Sequence, residues 1–354
     1  MTSQQTHPNR NGPTRSQDSG LAIDAQNVTV TYEDGTEAVR GVSLRIESGE
    51  FFGFLGPNGA GKTTTIKALA TLLGPTEGSV RINGYDAATE PENVRRSIGY
   101  MAQETSIDTE LTPRENLRLA CKLYGVPVEQ REERIEALLD LVELQDVADT
   151  RSETFSGGIK KRLDAATVLV HRPPVVFLDE PTTGLDPEAR LRLWNYFERI
   201  NEQGTTVFLT TQYLEEADQL CDRLSLLQDG RIIETGSPDT LKSEFGTDSF
   251  EITLENPVAE RIERAVDAVR RVDALDEPTI RTTEDGVTVR SACAREAASD
   301  LFVALDEAGV SVSDVDVRLP TLDDVFLALT DDSADAAGRA ETGTASRSAR
   351  EVST

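Results

Sequence analysis

The sequence predicts an α/β fold with a helical subdomain, followed by a small α+β domain. Three observations predict it. Two short apolar runs, FFGFL at 51–55 and VVFL at 175–178, have the length and composition of buried strands. The first opens into a Gly-rich turn and then the helically spaced TTTIKALATLL, and the second ends in Asp179-Glu180. Beyond Gly246 the pattern runs β-α-β-β-α-β, the order of a ferredoxin-like split βαβ unit.

Residues 21–50 alternate apolar and polar side chains (VTVTY, VSLRI), giving strands that lead to the first apolar run. That run breaks at Gly56, Pro57, Asn58, Gly59, Ala60 and Gly61 and resumes at Lys62-Thr63. Strand, Gly-rich loop, Lys-Thr and helix together are the context of a P-loop. Glycines let backbone N–H groups curl around phosphate oxygens with no Cβ in the way. The helix that follows points its positive end at the same anion. Lys62 is expected to reach the β and γ phosphates, Thr63 to hold Mg²⁺ and Thr64 to touch the α phosphate. Asp179, at the carboxyl end of its strand, is placed to reach Mg²⁺ directly or through a water. Glu180 is placed to polarise the attacking water as a general base, and Pro181 stops the strand from running past the site.

Residues ~104–160 carry helical periodicity (LTPRENLRLACKLYGV, ERIEALLDLVEL) and form the expected helical subdomain. At its far end Ser156-Gly157-Gly158 makes a second Gly-rich turn into a helix, with the same N–H and dipole chemistry as the first. Lys160-Lys161-Arg162 reads as a solvated helix face. Residues 163–245 return to alternating strands and helices and complete a domain spanning 21–245, in which His171 reads as a partly buried helix-end residue. The second domain spans 248–330, with Asp285-Gly286 as its hairpin turn. It has no catalytic constellation and reads as a regulatory or dimer-supporting appendage, or equally as a packing extension. PTLDDVFLALT at 320–330 is free to dock back on the core or reach a partner. Residues 1–20 and 331–354 are polar and read as disordered tails.

The 354 residues contain no run of ~18 apolar residues and no apolar signal region at the start, so membrane association would come through a partner rather than direct insertion. Cys121, Cys221 and Cys293 are widely spaced, as for buried thiols in a reducing cytoplasm. The 63 acidic and 36 basic residues give a formal charge of −27. Such a surface repels nucleic acid and anionic bilayers alike. It resembles the proteins of halophilic archaea, where high salt screens the self-repulsion.

These residues closely resemble the ATP-binding subunit of an ABC transporter. Ser156, Gly157 and Gly158 match the family's signature turn, Gln103 in GYMAQE its Q-loop, and Asp186 in TTGLD its D-loop. Tyr32 sits where the family has an aromatic that stacks on adenine. The resemblance implies that ATP is bound by Tyr32, residues 56–64 and Gln103, with Mg²⁺ held by Thr63, Gln103 and Asp179. It implies a head-to-tail homodimer, in which the signature turn of one protomer caps the γ-phosphate held by the other. It also implies contact with a membrane-embedded permease near Gln103. Ile159 stands where the family usually has Gln. Gln212 stands where most members have a histidine, and the chain's two histidines, His7 and His171, are elsewhere. Glutamine cannot take up a proton near neutral pH, so Gln212 is expected to sense the γ-phosphate and leave base duty to Glu180.

TTQYLEEADQLCDRL, DGRIIETGSPDTLK and PTLDDVFLALT further look like the drug-resistance (DrrA-like) exporter branch, in which a Gln at the switch position also occurs. That implies a cytoplasmic ATPase, peripheral on the inner face of the cell membrane, driving export through a separate permease. The alternative is a non-transport ABC ATPase acting on nucleic acid or ribosomes. Those usually carry two cassettes, long coiled coils or basic surfaces, and this chain has one cassette and an acidic balance. A small-molecule kinase or GTPase accounts for the P-loop but not for Ser156-Gly157-Gly158, and no N-K-x-D motif is present.

Overall fold

The computed structural model describes residues 20–246, 248–275, 278–291, 294 and 296–330. The expected tails, apart from Gly20, lie outside the described residues, as does Cys293. The described residues form two compact units: 20–52, 58–210 and 229–231 in the first, and 53–57, 211–228 and 232–330 in the second.

The first unit opens with β1 (Leu21–Thr31) and β2 (Glu37–Glu47), an antiparallel pair. The register Ile23↔Ile46 and Ala25↔Leu44 gathers buried apolar residues on one face, as the period-2 pattern predicts. Next comes β3 (Phe51–Leu55), buried at every position, as a strand covered on both faces must be. After α1 (Lys62–Leu69), β4 (Glu77–Ile82) and β5 (Tyr85–Asp86) complete a sheet of order β2-β1-β4-β5. A short α2 (Pro91–Arg96) leads to β6 (Ile98–Met101).

The helical subdomain follows with α3 (Pro113–Leu123), α4 (Val128–Leu141) and α5 (Gly157–Thr167). A capping box between Thr112 and Glu115, with Pro113 just inside, starts α3. Leu117 and Cys121 on α3 and Ile135, Leu138 and Leu139 on α4 are fully buried, with one stripe of each helix turned inward.

The unit closes with β7 (Val175–Asp179), α6 (Pro187–Glu202) and β8 (Thr206–Thr211). Strands β6, β7 and β8 run parallel with Tyr100, Phe177 and Phe208 in one row. The Phe208 ring lies 5.6 Å from Phe177 and 5.8 Å from Phe52. Through Phe51 and Phe52 the first unit holds the strand order β3-β8-β7-β6. Its parallel strands come to a common end near Met101, Asp179 and Thr210, the carboxyl end at which sheets of this kind bind ligands.

The second unit holds α7 (Leu214–Leu220), β9 (Arg223–Gln228), most of β10 (Arg231–Gly236) and α8 (Pro238–Phe245), with strand order β10-β9-β3 through Gly53–Leu55. It continues as β11 (Asp248–Leu254), α9 (Ala259–Val269), β12 (Thr279–Thr282), β13 (Gly286–Ser291), α10 (Ala298–Glu307) and β14 (Val312–Arg318). This is the expected β-α-β-β-α-β order, in an antiparallel sheet β12-β13-β11-β14. Its core joins Phe250, Ile252, Val287 and Val289 of the sheet to Ala265, Val269, Leu301 and Leu305 of the two helices. Gly286 closes the expected turn, its carbonyl accepting from the Thr283 N–H at 2.9 Å, and it also serves the sheet: it opens β13, and a Cβ there would sit 1.9 Å from the Ile252 carbonyl oxygen. Residues 322–330 are helical, with Leu322 and Val325 buried. Among the described residues no helix is long and apolar enough to cross a membrane.

Candidate active site

Asn58 to Gly61 wrap the start of α1, whose first turn carries no acidic residue and whose N-cap, Gly61, supplies no side-chain cap. Gly61 has φ +103°, and a Cβ on it would lie 2.3 Å from the Ala38 carbonyl oxygen. Gly59 has φ +84°, but a Cβ there would meet nothing within 4 Å. One glycine therefore lets the loop press against its own protein, and the other leaves open space beside the loop. Gly230 N–H donates to the Ala60 carbonyl at 3.0 Å and tethers the loop from behind. Gly56 and Pro57 immediately precede this stretch, in the second unit.

In a chain with 63 acidic residues, eight of the ten labelled α-helices have Asp or Glu in the first turn. The exceptions are α1 and α5. Acidic residues favour helix N-termini because of the partial positive charge there, and their absence keeps that charge for an outside anion. α5 begins at Ser156, the N-cap, with Gly157 and Gly158 as its first residues. A Cβ on Gly158 would lie 2.9 Å from the Ala189 Cβ, so this glycine admits the first turn of α6. Asp186 caps α6, accepting from the Ala189 N–H at 2.9 Å.

Two side chains leave α1 toward the end of β7. Lys62 Nζ lies 3.2 Å from Glu180 Oε1, with both side chains under a tenth exposed. Thr63 Oγ1 donates to Asp179 Oδ1 at 3.2 Å. Gln103, just past β6, donates through Nε2 to Glu180 Oε2 at 3.2 Å. Glu180 itself has φ +46°, an uncommon value for a residue with a side chain. The backbone holds it there, since its N–H meets the Thr210 carbonyl at 3.0 Å and the Thr210 hydroxyl at 3.1 Å. The left-handed turn at the strand end swings the carboxylate toward Lys62 and Gln103. Tyr32 is 43% exposed, and its hydroxyl shares a 2.9 Å hydrogen bond with Thr64 Oγ1. Gln212, exposed and directly after β8, belongs to the second unit.

Three site neighbours are not legible as such in the sequence. Thr210 Oγ1 donates to Asp179 Oδ1 at 2.7 Å, and Tyr100 Oη donates to Asp179 Oδ2 at 3.5 Å. Burial, and then the Asp179 charge, push the Tyr100 phenol well above its ordinary range, so it stays a donor. Only the register of β6, β7 and β8 brings these residues together. The third is Lys161, which corrects the reading of 160–162 as a solvated face. It is 6% exposed and donates to the Gln103 carbonyl, while Arg162 donates to the Val142 and Glu143 carbonyls at the end of α4. Burial lowers the Lys161 pKa. His171 is a half-buried residue stacked on Tyr124 at 3.9 Å, with Nε2 3.0 Å from the Ile98 carbonyl, and burial lowers its pKa. Cys121 and Cys221 are buried thiols.

The residues fit a magnesium nucleotide. The α1 turn offers backbone donors and Lys62 to phosphate, and Thr63 with Asp179 offers the hydroxyl and carboxylate oxygens that a hard cation prefers. The sequence profile of the family described as "ABC transporter" matches residues 39–183, and that of "ATP-binding protein DrrA1-3-like, C-terminal domain" matches 236–330. The daunorubicin resistance ATP-binding protein DrrA3 of Streptomyces coeruleorubidus is 41% identical over 311 residues, 88% of this chain and 96% of that protein. The chain belongs to the DrrA-like family of ABC transporter ATP-binding proteins. As a DrrA-like ATP-binding protein, it is an ATPase. The Nod factor export ATP-binding protein I of Burkholderia thailandensis is 40% identical over 249 residues, 70% of this chain and 82% of that one. A dimeric, post-hydrolysis structure of the cassette MJ0796, bound to ADP and Pi, superposes with a TM-score of 0.56 at 29% identity, over 61% of the DrrA-like chain and 98% of its own.

Proposed function

We propose that this chain is the ATP-hydrolysing subunit of an exporter, working as a homodimer beneath a separate membrane permease. The observation that carries the proposal is the pair of acid-free helix starts, α1 and α5, in one strongly acidic chain. One holds a triphosphate from one side, and an identical second chain presents the other to the exposed γ-phosphate. Relatives named for drug resistance and Nod factor export support the direction of transport.

Backbone N–H groups of 58–61 and Lys62 bind the phosphates, and the exposed Tyr32 ring is placed for the base. Thr63 and Asp179 are placed for Mg²⁺, with Gln103 supplying a side-chain oxygen. Mg²⁺ when bound neutralises charge on the phosphate oxygens. Thr210 and Tyr100 orient Asp179 for that role. Glu180 accepts the proton of the attacking water, and Gln212 reads the γ-phosphate by hydrogen bonding. Loss of the shared γ-phosphate then opens the pair.

The test is light scattering on a Glu180→Gln variant at high KCl, with and without Mg-ATP. A dimer that forms with ATP and dissociates when nucleotide is removed is the expected result. A persistent monomer that binds ATP tightly would refute the ATP-held homodimer.

The formal charge of −27 supports adaptation to a salt-rich cytoplasm, as in halophilic archaea. Raising KCl from about 0.1 to about 1 M shortens the Debye length from about 10 to about 3 Å. The melting temperature should rise over that range, and a calorimetric scan indifferent to KCl would exclude salt adaptation.

A further inference from the structure

Two arginines meet at the end of the first unit remote from the phosphate loop. Pro173-Pro174 lead into β7 and Gly204-Thr205 into β8, so the amino ends of these strands lie there. A cavity of about 470 Å³ opens beside them, lined by Arg134 of α4, Arg172 and Gln203, with no acidic residue in its wall. A second cavity, of about 480 Å³, borders the same two arginines, and its one acid is the exposed Glu133. In a chain of 63 acidic and 36 basic residues, such a local excess of cations calls for a reason.

Arg134 has one in the fold. Its Nε donates to the Val170 carbonyl at 3.2 Å and its Nη2 to the Leu169 carbonyl at 2.6 Å, in the turn that follows α5. A cation is favoured at a helix end of this kind. The two bonds fix the guanidinium in place and leave Nη1 without a hydrogen bond among the described residues.

Capping accounts for one cation and not for a second. Arg172 has φ +54°, in a position after a helix where glycine or asparagine is usual. Its side chain is exposed and makes no hydrogen bond or ion pair among the described residues. Burial, and next the Arg172 charge, lower the Arg134 pKa, so the two guanidiniums lie within electrostatic reach of each other. Two like charges side by side, one on a strained backbone, cost stability until an anion lies between them. Planar guanidinium donors match the oxygens of phosphate, and the Gln203 amide adds a further donor in the same wall.

We propose that Arg134 and Arg172 form a binding site for a phosphate group, free or carried on a small ester, separate from the nucleotide site. The cavity is larger than phosphate alone requires, which leaves room for the body of an ester.

The test is thermal melting of the full chain with the P-loop filled by Mg²⁺ and a non-hydrolysable ATP analogue. Inorganic phosphate or glycerol phosphate is then added at constant KCl, pH and ionic strength. The wild-type melting temperature should rise by about 2 to 4 °C at several times the Kd. A larger rise with glycerol phosphate would support an ester as ligand, and an equal rise would support free phosphate. Arg172→Asn is the separating variant, because asparagine suits the left-handed position and removes the repulsion. Without phosphate it should melt at or above the wild-type temperature, and the rise with phosphate should vanish. Arg172→Lys, which keeps the charge but not the fork, should retain only part of the rise. No rise in wild type with either probe, or the same rise in Arg172→Asn, would overturn the site. An Arg172→Asn chain that melts below wild type without phosphate would overturn it too, by making Arg172 a structural residue.

Discussion

Glu180→Gln is expected to lower the ATPase rate about 10²- to 10⁴-fold while leaving ATP affinity within a few-fold of wild type. Glutamine keeps the shape of the side chain, and its amide oxygen can still accept from Lys62. What it loses is the capacity to take a proton from water. The tertiary structure singles out this carboxylate. It is 7% exposed, held in a left-handed turn by two contacts to Thr210, and aimed between Lys62 and Gln103. Gln212, proposed above to read the γ-phosphate, cannot take up a proton near neutral pH and so leaves the task to Glu180. Single-turnover rates and nucleotide titration, taken together, check the prediction. A variant hydrolysing at the wild-type rate would mean that the base is another group.

Gly61→Ala is expected to destabilise the fold itself, by roughly 3 kcal/mol or more, because strain and overpacking add. The residue has φ +103°, and the new Cβ would sit 2.3 Å from a backbone oxygen of β2, which cannot swing aside as a side chain would. Gly59→Ala provides the contrast. Its φ of +84° costs about 1 kcal/mol or slightly more, yet its Cβ would enter open space. It should leave the melting temperature near wild type and weaken nucleotide binding, since the methyl group occupies the side of the loop where phosphate is expected. Thermal melting and nucleotide titration of both variants separate the cases. If both lost binding at unchanged stability, the close approach of Gly61 to Ala38 would not matter for folding.

Much of this was legible along the chain because the governing interactions are local. A five-residue apolar strand, a run of glycines and Lys62-Thr63 define one turn, whose backbone and helix start make an anion site wherever they occur. The β-α-β-β-α-β order of the second region follows in the same way from its switches of period. The resemblance through Ser156, Gln103 and Asp186 leads to the same family as the similarity to the resistance proteins.

Positions whose meaning depends on distant neighbours were less legible. Lys161 sits in a run of three cations that looks solvated, and only the packing of α5 against residues 103–106 buries it. Gly286 is legible as a turn glycine, but the approach of β11 is what demands the missing side chain. Thr210 and Tyr100 are ordinary strand residues until parallel pairing sets them on either side of Asp179. The sequence by itself determined which backbone turns have the glycines and helix starts suited to an anion and which segments become strands and helices, because propensity and period act over a few residues. The tertiary structure alone decided which side chains meet at the strand ends and which charges are withdrawn from water, because register and burial are properties of elements far apart in the chain.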